Sequence, residues 1–585
     1  MTSQTSQPDA LAAATAALAS GDLLLAYDRC TAGLAGDAPH PRLRYLRVLA
    51  LARMGEIDRA RRLYDVELAV GSADLDMLTL GARLMKDRAW LAQGDAQISL
   101  IADASDAYEA IFRQTGDAFP GINAATLARL AGQDARARAL AQAVLDALGD
   151  APPADYYAAA TVAEALLLLG DEAGAEAAID HALQLPGCNP GARSSTSAQL
   201  ARIVRAGGGG AGIVARLRPA AILTYCGHMF GQSPMAEAVL RQEIDAALDG
   251  LGATVAYGAL ACGADILIAE AILARGGELH VILPFRVDDF IATSVAPGGG
   301  DWIARFHACL ARANEVVIAS DTPALDDDRQ YRYGSLMMMG FARLRARHLG
   351  TDAVQLAVWD GLSPGGLAGT GADVALWHEH GGETRVVPID RNDFARPSAV
   401  TGVTRIDAQR EVRAMIFTDF AGFSRIDEAV LPTFWELVLG RVARVVDRYA
   451  DDVCSRNTWG DALYVVTTTS TAAARLALDL QAALDPESMG FLGEGAGMRV
   501  SAHLGSVYQA IDPVTRQVTF FGREVNKTAR IEPIALVGEV YVTRAFGAVL
   551  ALVSPEEFDL SYVGRVALAK QFGDEAMYRL TRAAP

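Results

Sequence analysis

The pattern of apolar and polar positions divides the chain into three regions that differ in composition and periodicity. Residues 1 to about 205 are rich in Ala and Leu and follow a helical period. From about 215 to 390, short apolar runs alternate with helical segments, and after about 410 strands and amphipathic helices are mixed. We predict a helical-repeat domain over 1–205, an α/β domain over 212–390, a polar linker over 391–409 and an α+β domain over 410–585.

A helix that ends in a small-residue turn recurs through the first region. The turn glycines are spaced by 34, 39, 38 and 38 residues, and most precede an acidic or polar residue and another helix. A helical hairpin of this length cannot bury its apolar face alone, so we expect neighbouring hairpins to stack into a solenoid. The turn glycines are Gly21, Gly55, Gly94, Gly132 and Gly170.

These repeats resemble the tetratricopeptide-repeat family. The stretch FPGINAATLARLAGQD (Phe119–Asp134) is similar to the tetratricopeptide-like TRAFs-binding regions of signalling proteins. The resemblance implies that the region docks a protein partner, or another part of the chain, and carries no chemistry. The alternative from the pattern alone is a plain helical bundle with chance glycines.

Apolar runs of strand length alternate with helices in the second region, which predicts a doubly wound, Rossmann-like α/β domain with a parallel sheet. Gly-rich turns follow some of these runs, where such sheets bind phosphates. The runs are AAILTYCG, TVAYGAL, LHVILPF, EVVIAS, VQLAVWDG and TRVVPI, and the turns are CGHMFG (Cys226–Gly231), GALACGAD (Gly258–Asp265) and PGGLAGTGAD (Pro364–Asp373).

The stretch GALACGADILIAEAILARGGELHVILPF resembles the SLOG superfamily of Rossmann-like domains, and GTGAD supports the resemblance. The resemblance implies a nucleotide or nucleotide-derived ligand, often bound by a sensor. No Lys-Ser/Thr pair follows a GxxxxG, so a P-loop NTPase is excluded. The residues expected at the ligand are Gly227, Gly258, Gly263, Asp265, Gly369, Thr370 and Gly371.

Two other interpretations of this region stay open. The glycines could serve only tight strand–helix turns in a spacer that binds nothing. Alternatively, the domain could cleave the glycosidic bond of a nucleotide, with Asp265, Glu270 or Asp360 as the catalytic carboxylate. His378 and His380 lie in the segment WHEH without a further ligand cluster, which favours a solvated segment over a metal site.

Two aspartates in the third region lie where short strands end. Asp419 follows the apolar strand of MIFTDF, and Asp461 lies in the turn TWGD of a hairpin predicted from VCSRN and ALYVV. Two carboxylates brought together at strand ends make a site for divalent cations. The small residues beside them leave room for a triphosphate.

Five motifs follow one another in this region: FTDFAGFS, WGDALYVV, MRVSAHLGSV, TFFGREVNKTARIE and GEVYVT. In this order they resemble the catalytic domain of class III adenylyl and guanylyl cyclases, an α+β ferredoxin-like fold, over about 410–582. The resemblance implies that a nucleoside triphosphate is converted to the 3′,5′-cyclic monophosphate and pyrophosphate. It also implies a homodimer, because the family divides each active site between two protomers.

The resemblance assigns roles to individual residues. Asp419, Asp461 and the backbone carbonyl of Phe420 match the ligands of two metal ions, Mg²⁺ or Mn²⁺. Asn526 would orient the ribose, and Arg530 would meet the charge that develops on the α-phosphate. Their spacing of four residues places both side chains on one face of a helix.

Further positions depart from the family pattern. Lys570 matches a phosphate-contacting lysine only after a one-residue gap, and Arg523 either adds positive charge near the phosphates or lies in solvent. Asn457 and Thr519 occupy the base-reading positions and carry no charge that would reject another base. We favour ATP, while GTP and the pyrimidine triphosphates stay open. A catalytically silent nucleotide-binding scaffold is the competing hypothesis, which the intact metal and transition-state residues argue against.

Net charge and cysteine usage limit the expected binding partners and cellular location. The formal net charge of -18 repels polyanions, so neither nucleic acid nor an anionic membrane is expected as a partner. The six cysteines are scattered without a CxxC pair, which is typical of reduced thiols. The sequence shows no secretory signal and no run of about 18 uncharged apolar residues. We therefore expect a cytoplasmic protein.

Overall fold

The chain forms two compact units. One comprises Met1–Pro219 with Arg347–Thr351, and the other comprises Ala220–Ala346 with Asp352–Pro585. The computed structural model describes residues 7–35, 40–68, 74–207, 209–324, 328–399, 410–423, 426–484, 496–568 and 572–583. No helix in these ranges is both long enough and apolar enough to cross a membrane.

The first unit is helical, as the repeat pattern predicts. All five turn glycines adopt a positive φ, between 60° and 92°. Four lie between helices, and Gly94 is the first residue of α6. The helices are α1 (Gln7–Ser20), α2 (Leu23–Gly33), α3 (Pro41–Arg53), α4 (Ile57–Glu67), α5 (Leu75–Ala89), α6 (Gly94–Thr115), α7 (Ala118–Leu130), α8 (Asp134–Leu148), α9 (Tyr156–Leu169), α10 (Glu172–Ala182), α11 (Pro190–Arg205) and α12 (Ala211–Leu217).

A row of buried polar side chains joins successive hairpins. Lys86 on α5 donates a hydrogen bond of 2.9 Å to Asn123 on α7. Thr126 on α7 and Gln199 on α11 both donate to the carboxylate of Glu164 on α9. Because buried polar groups must be paired, these contacts help to set the register in which the repeats stack.

The middle domain contains a six-stranded parallel sheet with the strand order β4-β3-β2-β1-β5-β6. All six predicted runs form strands. The strand order reverses between β1 and β5, which opens a crevice at their carboxyl ends. The strands are β1 (Ile222–Gly227), β2 (Val255–Gly258), β3 (Glu278–Leu283), β4 (Glu315–Ile318), β5 (Ala353–Trp359) and β6 (Glu383–Pro388).

Helices connect these strands and cover the sheet. Short π and 3₁₀ segments, Ile291–Val295 and Ala296–Gly298, extend the helix after β3. The helices are α13 (Pro234–Leu251), α14 (Ala264–Ala274), α15 (Val287–Phe290), α16 (Trp302–Arg312), α17 (Asp328–Leu349) and α18 (Thr370–Glu379).

Part of the predicted linker packs on the middle domain. A 3₁₀ turn forms at Arg391–Asp393. Phe394 is buried, with its ring centroid 4.2 Å from that of Phe230, and Ala395 forms a bridge with Gly231. Residues 400–409 lie outside the described residues.

The C-terminal domain is built on an eight-stranded sheet with the order β13-β14-β12-β10-β7-β9-β8, and β11 pairs with β10. The long strands β7 and β10 form an antiparallel pair. The strands are β7 (Arg410–Ala421), β8 (Val453–Trp459), β9 (Ala462–Thr467), β10 (Gly497–Ile511), β11 (Val518–Phe521), β12 (Val540–Thr543), β13 (Phe558–Ala567) and β14 (Asp574–Arg582). The helices are α19 (Leu431–Thr433), which continues through a π segment (Phe434–Leu439) into α20 (Gly440–Asp447), α21 (Ser470–Ala483), α22 (Arg523–Ile531) and α23 (Arg544–Val553).

Candidate active site

The two predicted metal-binding aspartates lie side by side. Asp419 is near the end of β7, and Asp461 lies in the turn of the β8–β9 hairpin, where Gly460 supplies a φ of +65°. Because β9 pairs with β7, the hairpin turn lies beside the end of β7. The backbone N–H of Phe420 donates to Asp461 Oδ2 at 3.3 Å.

The electrostatics of this pair suit a divalent cation. Burial raises the pKa of Asp461, and the negative charge of Asp419 raises it further. Carboxylate and carbonyl oxygens are the hard ligands that Mg²⁺ prefers, and a bound cation would cancel the repulsion between the two carboxylates. Among the described residues, no group of three or more His, Cys, Asp or Glu gathers to hold a metal. The two Asp carboxylates would supply oxygen ligands to a cation whose remaining ligands come from the substrate.

Arg499 and Glu532 belong to this site, although sequence reasoning missed them. Arg499 lies opposite Asp419 in the β7–β10 register and pairs with its carboxylate. Arg499 Nε also lies 2.8 Å from Glu532 Oε1. Burial raises the pKa of Glu532 to about 7; the charge of Arg499 opposes the shift, and Asp419 and Asp461 add to it. Only the strand register could have revealed these contacts.

Helix α22 carries the predicted transition-state residues. Asn526 is exposed, and the Arg530 guanidinium lies over the ring of Phe572, 4.4 Å from its centroid. The helix is held at its first turn by Glu524, whose carboxylate lies 2.7 Å from His503 Nε2. Burial by itself raises the pKa of Glu524, but the hydrogen bond and charge of His503 outweigh burial and hold this pKa below its ordinary value.

Of the two residues predicted to contact phosphate, Arg523 and Lys570, the structure describes only Arg523. Arg523, the first residue of α22, pairs with Asp321 of the middle domain at 2.6 Å. Its guanidinium also lies 5.5 Å from the centroid of Phe572. Lys570 lies outside the described residues.

The two predicted base-reading residues lie on neighbouring segments. Asn457 is exposed on β8, and its side chain accepts a hydrogen bond of 2.9 Å from the N–H of Thr458. Thr519 is half-buried on β11. The Ser455 hydroxyl donates to the Val518 carbonyl at 3.0 Å, which brings β8 and β11 together.

Residues 407–582 match the family model described as the adenylate and guanylate cyclase catalytic domain. The C-terminal domain belongs to the class III adenylate and guanylate cyclase domain family. Residues 22–128 match a second family model, described as tetratricopeptide repeats-sensor.

Among curated proteins, the cyclase is similar to the receptor-type adenylate cyclase ESAG 4 of Trypanosoma brucei brucei, with 33% identity over 99 residues. The match covers 17% of this chain and 8% of that protein, so the chain spans only a small part of the relative's length.

Solved cyclase structures are also similar to part of this chain. The adenylyl cyclase CyaB from P. aeruginosa is 18% identical, covering 31% of this chain and 98% of its own, with a TM-score of 0.26. The guanylate cyclase domain of RhGC from Catenaria anguillulae, in complex with GTP, is 18% identical over 30% of this chain and 100% of its own, with a TM-score of 0.26. An adenylate cyclase from Trypanosoma brucei is 24% identical over 29% of this chain and 87% of its own, with a TM-score of 0.24.

In the middle domain that precedes the cyclase, most of the predicted ligand residues lie at strand ends and helix starts. Gly227 ends β1, and a Cβ there would lie 2.3 Å from the Cβ of Ala264 on α14. Gly263 precedes α14 with a φ of +95°, and a Cβ there would lie 2.8 Å from the carbonyl oxygen of His228. Gly369, Thr370 and Gly371 begin α18.

Gly258 and Glu270 have other surroundings. A Cβ at Gly258 would lie 2.3 Å from the ring of Tyr225, so this glycine makes room for a core side chain. Glu270 is held by hydrogen bonds from Arg241 and Arg305, and these ion pairs occupy its carboxylate.

Two titratable groups lie near the crevice between β1 and β5. Asp265 in the first turn of α14 is 7% exposed, and its Oδ1 has no hydrogen-bond partner among the residues that the structure describes. Burial raises the pKa of Asp265 to about 7. His228, which follows β1, has its Nε2 3.0 Å from an oxygen of Asp360, which follows β5. Sequence reasoning did not select His228, because a lone histidine after a strand carries no signal of its own.

Proposed function

We propose that the chain converts a nucleoside triphosphate, with ATP favoured, to the 3′,5′-cyclic monophosphate and pyrophosphate. The observation that carries the proposal is the adjacency of the Asp419 and Asp461 carboxylates in a cyclase domain whose α22 retains Asn526 and Arg530. ATP is favoured because the curated relative is named an adenylate cyclase. The uncharged Asn457 and Thr519 are compatible with adenine.

The residues have separate roles in this reaction. Asp419, Asp461 and the carbonyl of Phe420 would hold two Mg²⁺ or Mn²⁺ ions. Such ions lower the pKa of the ribose 3′-hydroxyl and neutralise the phosphate oxygens. Asn526 would orient the ribose, and Arg530 would stabilise the charge on the α-phosphate. A guanidinium stacked on a ring keeps its in-plane N–H groups available for phosphate, and this explains the position of Arg530 over Phe572.

We also propose that the active enzyme is a homodimer in which α22 of one protomer completes the metal site of the other. Within one chain, Arg530 lies over Phe572 and Asp419 pairs with Arg499. The cyclase domain also exposes many large apolar side chains, as expected of an interaction surface. These side chains are Trp435, Leu437, Trp459, Ile511, Val514, Val518, Phe521, Leu536 and Val537.

The upstream domains would regulate the reaction. We propose that the middle domain binds a nucleotide-type ligand where α14 and α18 begin, since helix N-termini favour anions. The positive φ at Gly263 and Gly369 turns the backbone into both helices. The helical repeats would dock a protein partner.

The proposal is tested by incubating the protein separately with ATP, GTP, CTP and UTP, with Mg²⁺ or Mn²⁺, and resolving the products by mass. We expect cyclic AMP as the main product. The Asp461→Asn variant should form none, whereas Asp451→Asn, an exposed aspartate before β8, should match the wild type. Cyclic product from Asp461→Asn, or none from the wild type with any triphosphate, would refute the proposed function.

A further inference from the structure

The middle domain and the cyclase domain meet along helix α17. The buried Tyr333 hydroxyl on this helix donates to the carbonyl of Leu504 on β10 at 2.7 Å. A Cβ added to Gly340 would lie 2.1 Å from the carbonyl oxygen of Ala548 on α23. Because this separation leaves no space for a methyl group, the backbone of α17 rests directly on α23.

An ion pair lies beside the contact between α17 and α23. Arg544, the first residue of α23, donates to Glu315 on β4 at 2.8 Å, and its guanidinium lies 4.4 Å from the ring centroid of Phe341 on α17. Burial lowers the pKa of Arg544, but the charge and hydrogen bond of Glu315 outweigh burial and hold this pKa above its ordinary value. A buried, paired arginine fixes the contact in one geometry.

Other side chains of α17 contact the Gly-rich turn and helix α18 of the candidate ligand site. Asp328 accepts a hydrogen bond of 3.1 Å from the N–H of Leu367 in that turn. Arg343 donates to the carbonyl of His380, just after α18, at 2.6 Å. A single helix therefore contacts both the candidate ligand site and the cyclase.

The cyclase side of the contact continues into α22. Gly505 follows Leu504, and a Cβ there would lie 2.7 Å from the side chain of Glu524, so α22 rests on β10 beside the Tyr333 contact. His503 binds Glu524 through Nε2 and Thr543, the N-cap of α23, through Nδ1 at 2.9 Å. The first turns of α22 and α23 are thus joined through His503.

We propose that α17 is the element through which the middle domain positions the transition-state helix, so that a nucleotide-type ligand at the Gly-rich turn of α18 alters turnover. This inference rests on the proposed cyclase function. Tyr333 and Gly340 are positioning residues, since they act on α22 through β10 and α23. A shift of α22 moves Arg530 away from the α-phosphate, whereas the metal aspartates keep their place. We therefore expect kcat to change and KM to stay.

Two glycines of α17 provide a matched pair of variants. Gly340→Ala forces α17 away from α23, and a displacement of about 1 Å costs about 10- to 100-fold in rate. Gly334→Ala makes the same change on the same helix, but the atoms nearest to its Cβ would be those of Pro284, at 3.4 Å or more, which is ordinary van der Waals contact. We expect Gly340→Ala to lower kcat by at least about tenfold with KM within about twofold, and Gly334→Ala to match the wild type.

Amide hydrogen exchange of residues 523–531 gives a second measurement that needs no turnover. We expect faster exchange in this segment for Gly340→Ala and for Asp328→Ala, the variant at the ligand end of α17, and no change for Gly334→Ala. Tyr333→Phe, which removes one hydrogen bond and no volume, should shift exchange in the same direction by less. This variant serves if Gly340→Ala does not fold.

The outcomes separate the inference from the proposed function. Equal kcat and equal exchange in the two glycine variants would overturn the inference. So would faster exchange in Gly340→Ala with none in Asp328→Ala, because α17 would then be a fixed support without a link to the ligand site. A wild type that forms no cyclic nucleotide refutes the proposed function, while the exchange data still decide whether α17 positions α22.

Discussion

At the scale of single residues, the candidate active site consists of charged side chains that their neighbours hold in place. Asp419 repels Asp461, and Arg499 stands against Asp419 on the neighbouring strand. Arg530 lies on the face of Phe572, where an apolar ring limits the positions that a long side chain can take. The proposed chemistry would therefore depend on neighbours such as Arg499 and Phe572 as well as on the reacting groups.

Replacing Phe572 tests the support of Arg530. In Phe572→Leu the guanidinium loses a cation–π contact worth about 0.5–2 kcal/mol, so we expect kcat to fall about 2- to 30-fold. Phe572→Tyr keeps the ring face and should stay close to the wild type. Steady-state kinetics of cyclic nucleotide formation measure the effect, and equal kcat in the Leu and Tyr variants would exclude a supporting role for the ring.

Asp265 makes the stability of the protein depend on pH. Burial raises its folded-state pKa from 3.8 to about 7, so the folded state favours the protonated form. The resulting stabilisation is present at low pH and is lost as pH rises through this range. Asp265→Asn stays neutral, so we expect it to be more stable than the wild type at pH 8, by on the order of 2–4 kcal/mol, and similar at pH 4. Urea unfolding at both pH values measures the free energy of unfolding of the variant and of the wild type. A difference between the two proteins that is the same at pH 4 and pH 8 would contradict the expectation.

At the scale of elements, α22 depends on a buried hydrogen-bonded pair for its position. Its first turn carries Glu524, which is 8% exposed and bound to His503 on β10. His503 in turn binds Thr543, which caps α23. A helix of nine residues is too short to be stable alone, so these contacts place it.

Glu524→Gln removes this buried charge while keeping its shape. Breaking a buried pair costs about 3–5 kcal/mol, so we expect a loss of that order in the free energy of unfolding at pH 7. Because the folded-state pKa of Glu524 is lowered, the stabilisation is present above its unfolded pKa and is lost as pH falls. Glu557→Gln breaks an exposed pair with Arg475 and should cost less than about 1 kcal/mol. Similar losses in the two variants, measured by urea unfolding, would contradict a special role for the buried pair.

At the scale of the whole molecule, the proposed dimer predicts complementation between inactive variants. Asp461→Asn lacks a metal ligand and Arg530→Ala lacks the transition-state arginine, so each homodimer should be inactive. In an equal mixture that exchanges subunits, half of the dimers are mixed and each holds one intact site, so about a quarter of wild-type activity should return. Product formation measured before and after mixing tests this, and a mixture that stays inactive after proven subunit exchange would refute the composite site.

Much of the architecture could be predicted from local pattern. The six apolar runs of the middle domain form its six strands, and the hairpin around Asp461 forms as expected. The predicted linker differs in its first part, since Phe394 is buried against Phe230. A polar, irregular segment carries no period, so its packing depends on a complementary surface elsewhere in the fold.

The ordered motifs of the third region were enough to predict a class III cyclase domain, which the family model matches, because chemistry of this kind restricts residue types at a few positions. The roles of Asp419, Asp461, Asn526 and Arg530 stay predictions. The contacts of Arg499, Asp321 and Phe572 became visible only in the tertiary structure. They depend on strand register and on the packing of one domain against another. Strand register and domain packing depend on contacts among many residues that are far apart in the chain. A local sequence pattern does not contain this information.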